Sequence, residues 1–385
     1  MVDKKMKKIK VMAVFGTRPE AIKMAPLVLE LKKHMTEIET IVVVTAQHRQ
    51  MLDQVLEFFK IIPDVDLDIM KSEQTLADIT VTALSGLSEV MSNAKPDIVL
   101  VHGDTTTSFV ASLSAFYNRI LVGHVEAGLR TWDKGSPFPE EVNRQLTGVI
   151  SDLHFAPTSK AAANLMLENV KRESIIITGN TAIDALKFTV SEKYSHPIID
   201  NLGNKRLILL TVHRRENIGS RMESIFLAIK RLVRDYSDIQ VVYPVHMNPA
   251  VTETAKKMFD NCDGVHLIAP LDVIDFHNIA AKSYLIMTDS GGIQEEGPSL
   301  GKPVLVLRDT TERPEGVAAG TIKIAGTDTE NIYNMAARLL YDKEEYDFMA
   351  QSNNPYGDGN ASRRIVDYIR YYFGFNSVKP EEFAD

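Results

Sequence analysis

At 385 residues the chain exceeds one average domain and points to two. With 44% hydrophobic and 24% charged residues it has the make-up of a globular protein, and a formal charge of −8 without a basic stripe argues against nucleic acid as a partner. A single cysteine, Cys262, excludes a disulfide framework or a zinc ribbon and suits a reducing, cytoplasmic compartment.

Residues 1–10 are basic, with Met6 an alternative start, and the apolar run that follows ends at Phe15. That is too short for a signal peptide or a membrane span. Residues 9–15 read as a buried strand and 16–20 as a turn, with Pro19 suited to the first helical position before a helix over 21–34. Strands follow at 41–44, 97–101, 120–122, 153–156 and 174–177, with helices at 50–60 and 75–91. Strands alternating with helices imply a parallel, doubly wound sheet. Residues 193–204 are polar, carry Pro197 and Gly203, and read as a linker. The pattern then restarts, with strands at 207–212, 239–243, 265–268, 285–287 and 304–307 and a helix at 222–236. The fold class is therefore α/β, with two Rossmann-like lobes: 1–190, 205–358, and a C-terminal helix and tail over 359–385. In such sheets ligands bind at the carboxyl ends of the strands.

The candidate residues fall at those ends. His102 and Asp104 follow one strand, and His124 and Glu126 follow the next. Arg18 and Lys23 flank the first turn, Glu140 and Glu141 enter a helix after Pro137 and Pro139, and His213 follows the first strand of the second lobe. The i, i+2 spacing of His102 with Asp104 and of His124 with Glu126 places each pair on one side of an extended segment, which offers ligands to a divalent ion. The competing assignments are a helix cap for Asp104 and a core histidine for His124. Residues 288–316, TDSGGIQEEGPSLGKPVLVLRDTTERPEG, hold the second cluster. Ser290, Gly291 and Gly292 open a helix whose free N–H groups and dipole suit a phosphate. Glu295 and Glu296 are expected in its first turn, one of them able to accept from ribose hydroxyls. Arg308 and Arg313 follow beside Glu312 and Glu315.

That stretch closely resembles the non-hydrolysing UDP-N-acetylglucosamine 2-epimerases of bacteria. So, in the same order, do FGTRPEAIKMAPL (15–27), VHGDTTTSF (101–109), GHVEAGLRT (123–131), PFPEEVNR (137–144), TGNTAIDAL (178–186) and TVHRREN (211–217). The resemblance covers nearly the whole chain. It implies two lobes of the glycosyltransferase-B type facing a cleft, with the last helix crossing back to the first lobe, and a homodimer. It also implies interconversion of UDP-N-acetylglucosamine and UDP-N-acetylmannosamine by elimination and re-addition of UDP, for cell-surface polysaccharide, with no nicotinamide and no catalytic metal. By resemblance Asp104, Glu126, Glu140 and His213 are the catalytic group, undivided into acid and base. Arg18, Lys23, Phe276, Ser290, Gly291, Gly292, Glu296 and Arg313 resemble the nucleotide-sugar contacts, with Glu296 on the ribose and Phe276 at the uracil. Gram-positive-type relatives also bind a second substrate molecule as activator, and Gln47, Gln50, Glu140, Arg214 and His246 match that pocket. Glu73 departs from the pattern, standing where such relatives carry an arginine.

Three functions compete on the residues. A two-lobed UDP-sugar glycosyltransferase would share the glycine turn but need an acceptor site, and a non-catalytic nucleotide-sugar sensor would not need three carboxylates at strand ends. A hydrolysing 2-epimerase differs from the first reading only in its products.

Overall fold

The computed structural model describes residues 8–46, 49–71 and 73–385. They divide into two compact units, one running to Ala185 and resuming over Tyr356–Asp385, the other Leu186–Pro355. The first unit holds β1 (Ile9–Phe15), β2 (Ile38–Val44), β3 (Val65–Asp66), β4 (Ile98–His102), β5 (Leu121–Val125), β6 (Leu153–Ala156) and β7 (Ile175–Ile177). These strands are all parallel, in the order β3-β2-β1-β4-β5-β6-β7. The second unit holds β8 (Arg206–Thr211), β9 (Ile239–Pro244), β10 (Val265–Ile268), β11 (Leu285–Thr288), β12 (Val304–Val306) and β13 (Ile322–Ile324). They too are parallel, in the order β10-β9-β8-β11-β12-β13. Both sheets reverse their winding beside their first strand, between β1 and β4 and between β8 and β11.

Alternation along each central strand explains the layering. Val11, Ala13 and Phe15 pack into one core, Met12 and Val14 into the other, so β1 is apolar on both faces. In β8, Ile208 and Leu210 face one helical layer while Leu207 and Leu209 face the opposite one. The sequence places these strands except the short edge strands β3 and β13, and the ends of those it places move by up to three residues. The polar stretch 193–204 is not wholly a linker, because His196 caps a short helix, Pro197–Asp200.

The helix Ala361–Tyr372 belongs to the first unit. Ile365, Val366, Tyr368 and Ile369 are buried in the same core as Val11, Ala13 and Phe15. Asp184 accepts from the N–H groups of Ala361 and Ser362 at 3.1 and 2.7 Å, placing an anion at the helix N-terminus, where the dipole favours it. At the other end Arg370 Nε donates to Glu37 Oε2 at 2.7 Å.

This attachment predicts an asymmetric mutational response. Ile369→Ala deletes buried methylenes and is expected to destabilise the protein by about 2–5 kcal/mol in chemical denaturation. Arg363→Ala, on the exposed side of the same helix, is expected to change it by about 0.5 kcal/mol or less.

Candidate active site

In the first unit the turns after β1, β4 and β5 converge at the switch point. Gly16 is there because nothing larger fits: a Cβ would lie 2.0 Å from Thr45 Oγ1 and 2.6 Å from Thr107 Oγ1. Glu20, in the first turn of the helix Arg18–Lys33, reaches back to the Gly16 and Thr17 N–H groups at 3.1 and 2.8 Å. It also accepts from Thr105 Oγ1 at 2.7 Å and Ser108 Oγ at 3.0 Å, tying the β1 turn to the β4 turn. The same helix carries Lys23, one turn on, into an ion pair with Glu126.

Glu126 is the centre of this cluster. Its backbone is left-handed, with φ 61°, a conformation a side chain enters at a cost of order 1–3 kcal/mol. That turn brings its buried carboxylate to Lys23, to Asn180 Nδ2 at 2.8 Å and within 3.8 Å of His102 Nε2. Burial alone would raise this carboxyl, but Lys23, then His102 and Asn180, overcome it and hold the group well below the usual carboxylate range. Asp104 is displaced the other way. Burial raises it, Glu126 and Glu140 add repulsion, and Arg144, bonded to Asp104 Oδ2 at 2.5 Å, offsets only part. Glu140 heads the helix Glu140–Ile150, and its buried neighbour Glu141 accepts from the Thr131 and Trp132 N–H groups at 3.0 Å each, fixing the loop in between.

The alternative roles for these residues separate. The helix Thr106–Tyr117 is capped by Thr105, whose hydroxyl accepts from Ser108 N at 3.1 Å, so Asp104 is not the cap. His124 is a core histidine, fully buried with Nε2 2.7 Å from Gly103 O. Among the described residues no group of three or more His, Cys, Asp and Glu side chains is arranged to hold a metal ion. Burial lowers His102 to about 4, His124 to about 3 and His154 to about 4, so all three are neutral near pH 7.

In the second unit the switch point lies between β8 and β11. Ser290 caps the helix Gly291–Ser299. A Cβ at Gly291 would sit 3.6 Å from an Arg214 guanidinium nitrogen and 3.9 Å from one of Arg313, so both guanidinium groups flank the helix start. Backbone N–H donors at a helix start with two arginines alongside form an anion cradle. Because the first turn is Gly291–Gln294, Glu295 and Glu296 fall in the second, not the first as the sequence suggested. Buried Glu295 pairs with Arg313. Glu296 lies 3.5 Å from His277 Nε2, while His277 Nδ1 is 2.8 Å from Thr189 Oγ1. The Phe276 ring meets His277 edge-on, with centroids 6.2 Å apart. His213 stacks on His246, centroids 5.3 Å apart, and Arg214 Nη1 is 3.4 Å from Glu312.

The described residues therefore bring Lys23, Asp104, Glu126 and their partners together in one unit, and His213, Arg214, Ser290–Gly292, Glu296 and Arg313 in the other. Arg18 sits half-buried at the β1 turn, its Nη1 3.8 Å from Met51 Sδ. Gln47 lies outside the described residues, as does the side chain of Gln50. Sequence reasoning passed over Arg144, Asn180 and Asp289, each inside a quoted motif. No local pattern distinguishes them, because their partners are 40 to 76 residues away: Asp104 for Arg144, Glu126 for Asn180, and His213 for Asp289.

Comparison with known proteins agrees. A family model described as UDP-N-acetylglucosamine 2-epimerase matches residues 30–370. A curated UDP-N-acetylglucosamine 2-epimerase of Bacillus subtilis is 66% identical over 379 residues, spanning 98% of this chain and all of that protein. A crystal structure of UDP-GlcNAc 2-epimerase from Neisseria meningitidis bound to UDP-GlcNAc is 51% identical, with TM-score 0.85, covering 94% of this chain and 99% of that one. A Methanocaldococcus jannaschii UDP-GlcNAc 2-epimerase in complex with UDP-GlcNAc and UDP is 32% identical, with TM-score 0.77, covering 94% and 100%.

The buried neutral histidines give stability a pH signature. The unfolded chain protonates them near 6.5, whereas the folded groups resist until about 4 or below. Their contribution is complete above pH 6.5 and lost as pH falls toward 4, each costing on the order of 2 kcal/mol by pH 5. His124→Gln, whose side-chain amide can still donate to Gly103 O, is expected to lose less Tm than the parent between pH 7.5 and pH 5. An equal loss in both would show that His124 titrates freely.

Proposed function

This chain belongs to the UDP-N-acetylglucosamine 2-epimerase family, and from that membership we propose that it interconverts UDP-N-acetylglucosamine and UDP-N-acetylmannosamine without hydrolysis, as a cytoplasmic homodimer supplying cell-surface polysaccharide synthesis. The observation that carries the mechanism is the contrast between two neighbouring carboxyls: Glu126 is paired with Lys23 and bonded by Asn180, which hold it well below the usual carboxylate range, while burial and the nearby Glu126 and Glu140 push Asp104 up despite its bond to Arg144. Environments that push two titratable groups apart are the means by which one site runs acid and base chemistry near neutrality.

The reaction needs both. The C2–H of the sugar is not next to a carbonyl, so a carboxylate cannot remove it directly. If the C1–O bond breaks first, its electron pair leaves with UDP and C1 becomes cationic. A buried, ionised Glu126 stabilises that charge, and the C2 proton becomes acidic. A carboxylate takes it, leaving a glycal and UDP. UDP then re-adds at C1 while a proton returns to the opposite face of C2, which inverts that carbon. Asp104 and Glu140 are the proton-transfer groups in this reading. Lys23 keeps Glu126 charged, and Arg18 is a diphosphate contact in this reading. In the second unit Ser290, Gly291, Gly292 and Arg313 bind the diphosphate, Glu296 the ribose and Phe276 the uracil. His213 faces the leaving group.

Turnover in heavy water tests this. Deuterium is expected at C2 of both sugars in recovered UDP-sugar, with little free sugar released. Retention of the C2 hydrogen during epimerisation would defeat the elimination route, and accumulation of free N-acetylmannosamine would indicate hydrolysis. In the same assay Asp104→Asn, Glu126→Gln and Glu140→Gln are each expected to cut kcat by roughly two to four orders of magnitude. A variant that turns over near normally has no acid–base role.

Gln47, Gln50, Glu140, Arg214 and His246 form the second substrate pocket in this proposal. Glu73 is exposed just ahead of the helix Leu76–Ala94. An acid there repels a diphosphate and weakens the activator. The reverse reaction from UDP-N-acetylmannosamine alone is expected to show a lag that a trace of UDP-N-acetylglucosamine removes, and Glu73→Arg is expected to lower the activator concentration required. Full rate from the first turnover would show that no such pocket operates.

A further inference from the structure

Asp289 stands one residue beyond β11, and Thr288 pairs with Thr211 in β8. It is fully buried. Its Oδ2 accepts three hydrogen bonds, from the His213 N–H at 2.9 Å, the Arg214 N–H at 2.9 Å and Asn217 Nδ2 at 3.0 Å. Its Oδ1 is buried with no hydrogen-bond partner among the described residues. The ring of His213 stands close by, its Nδ1 3.6 Å away, just beyond hydrogen-bond reach. A buried carboxylate oxygen left without a donor is unusual, and an imidazole one small rotation away is the group that satisfies it.

We infer that Asp289 is a positioning residue for His213: its second oxygen takes the Nδ1 proton, so that Nε2 is the nitrogen turned toward the substrate. This rests on the reading that His213 acts in the reaction. The oxygen that holds the turn cannot also serve the ring, because three donors already occupy it. The two functions of the carboxylate are thus divided between its two atoms. The charged and titratable groups facing His213 are Asp289, His246, stacked on the ring, and Arg214. Burial lowers the imidazole first, Asp289 opposes it, and His246 and Arg214 add to the lowering. Asp289 is therefore the one neighbour that favours an imidazolium.

The test is histidine nitrogen NMR on the full-length protein, with His213 assigned by its loss in His213→Asn. In the parent the neutral ring is expected to carry its proton on Nδ1. In Asp289→Asn the side-chain oxygen must still serve the three donors, so the amide NH2 turns to the ring and the proton moves to Nε2. The His213 titration midpoint is then expected to fall, and kcat to drop by about tenfold or more with KM within about twofold. A role confined to holding the turn would move neither tautomer nor midpoint, and that result in Asp289→Asn overturns the inference. If that variant does not fold, the parent decides alone: a neutral ring protonated on Nε2 overturns it equally. Unchanged kcat in His213→Asn would remove the reading of His213 while leaving the tautomer measurement to stand or fall by itself.

Discussion

Parallel pairing of β1 with β4, and of β8 with β11, is the constraint from which both clusters follow. Parallel strands need a crossover helix between them, and where the winding reverses no helix covers the strand ends. The chain leaves those ends through tight turns whose backbone polar groups must still be satisfied. Glu20 does this at the β1 turn and Asp289 at the β8 turn, each a buried acid collecting N–H groups that no strand or helix takes. Glu20 also ties the β1 turn to the β4 turn through Thr105 and Ser108, and Asp289 ties the β8 turn to the end of β11, so the bonds that satisfy the backbone also fix the turns that carry the site residues.

Charge in the first unit is handled by pairing rather than by exposure. Lys23 and Glu126 are both largely buried, and neither ion is tolerable there without the other. Their pairing lets Glu126 stay ionised although it is largely buried. Asp104 has a partner as well, Arg144, but burial and the repulsion of Glu126 and Glu140 outweigh it. The difference between the two carboxyls comes from their surroundings, a directly bonded lysine and amide for one and two neighbouring acids for the other, not from their residue type. Glu126 reaches its partners only through a left-handed backbone, a local cost that the ion pair and the Asn180 bond offset.

The second unit solves a different problem. Its helix start is furnished with glycines, which keep side chains off the N–H groups, and with Arg214 and Arg313, which are held by Glu312 and Glu295. Those acids tether the guanidinium groups rather than cancel them, because an arginine has more donors than one carboxylate can use.

The sequence by itself determined the alternation of strands and helices: short continuous apolar runs for buried parallel strands, glycines where the chain turns at a strand end, and ordered motifs long enough to identify the family. Gly16, Gly291 and Gly292 were legible because a glycine at a strand end is a local necessity. The placement of Glu295 and Glu296 was not, since it hangs on which residue starts the helix, and Ser290 takes the cap. The roles of Asp104 and His124 were open for the same reason: cap, ligand and core histidine look alike until the neighbours are known. Only the tertiary structure decided which carboxyl is pushed up and which down. Arg144, Asn180 and Asp289 act on residues 40 to 76 positions away, and the field at a buried carboxyl falls with distance in space, which the order of residues along a chain does not record.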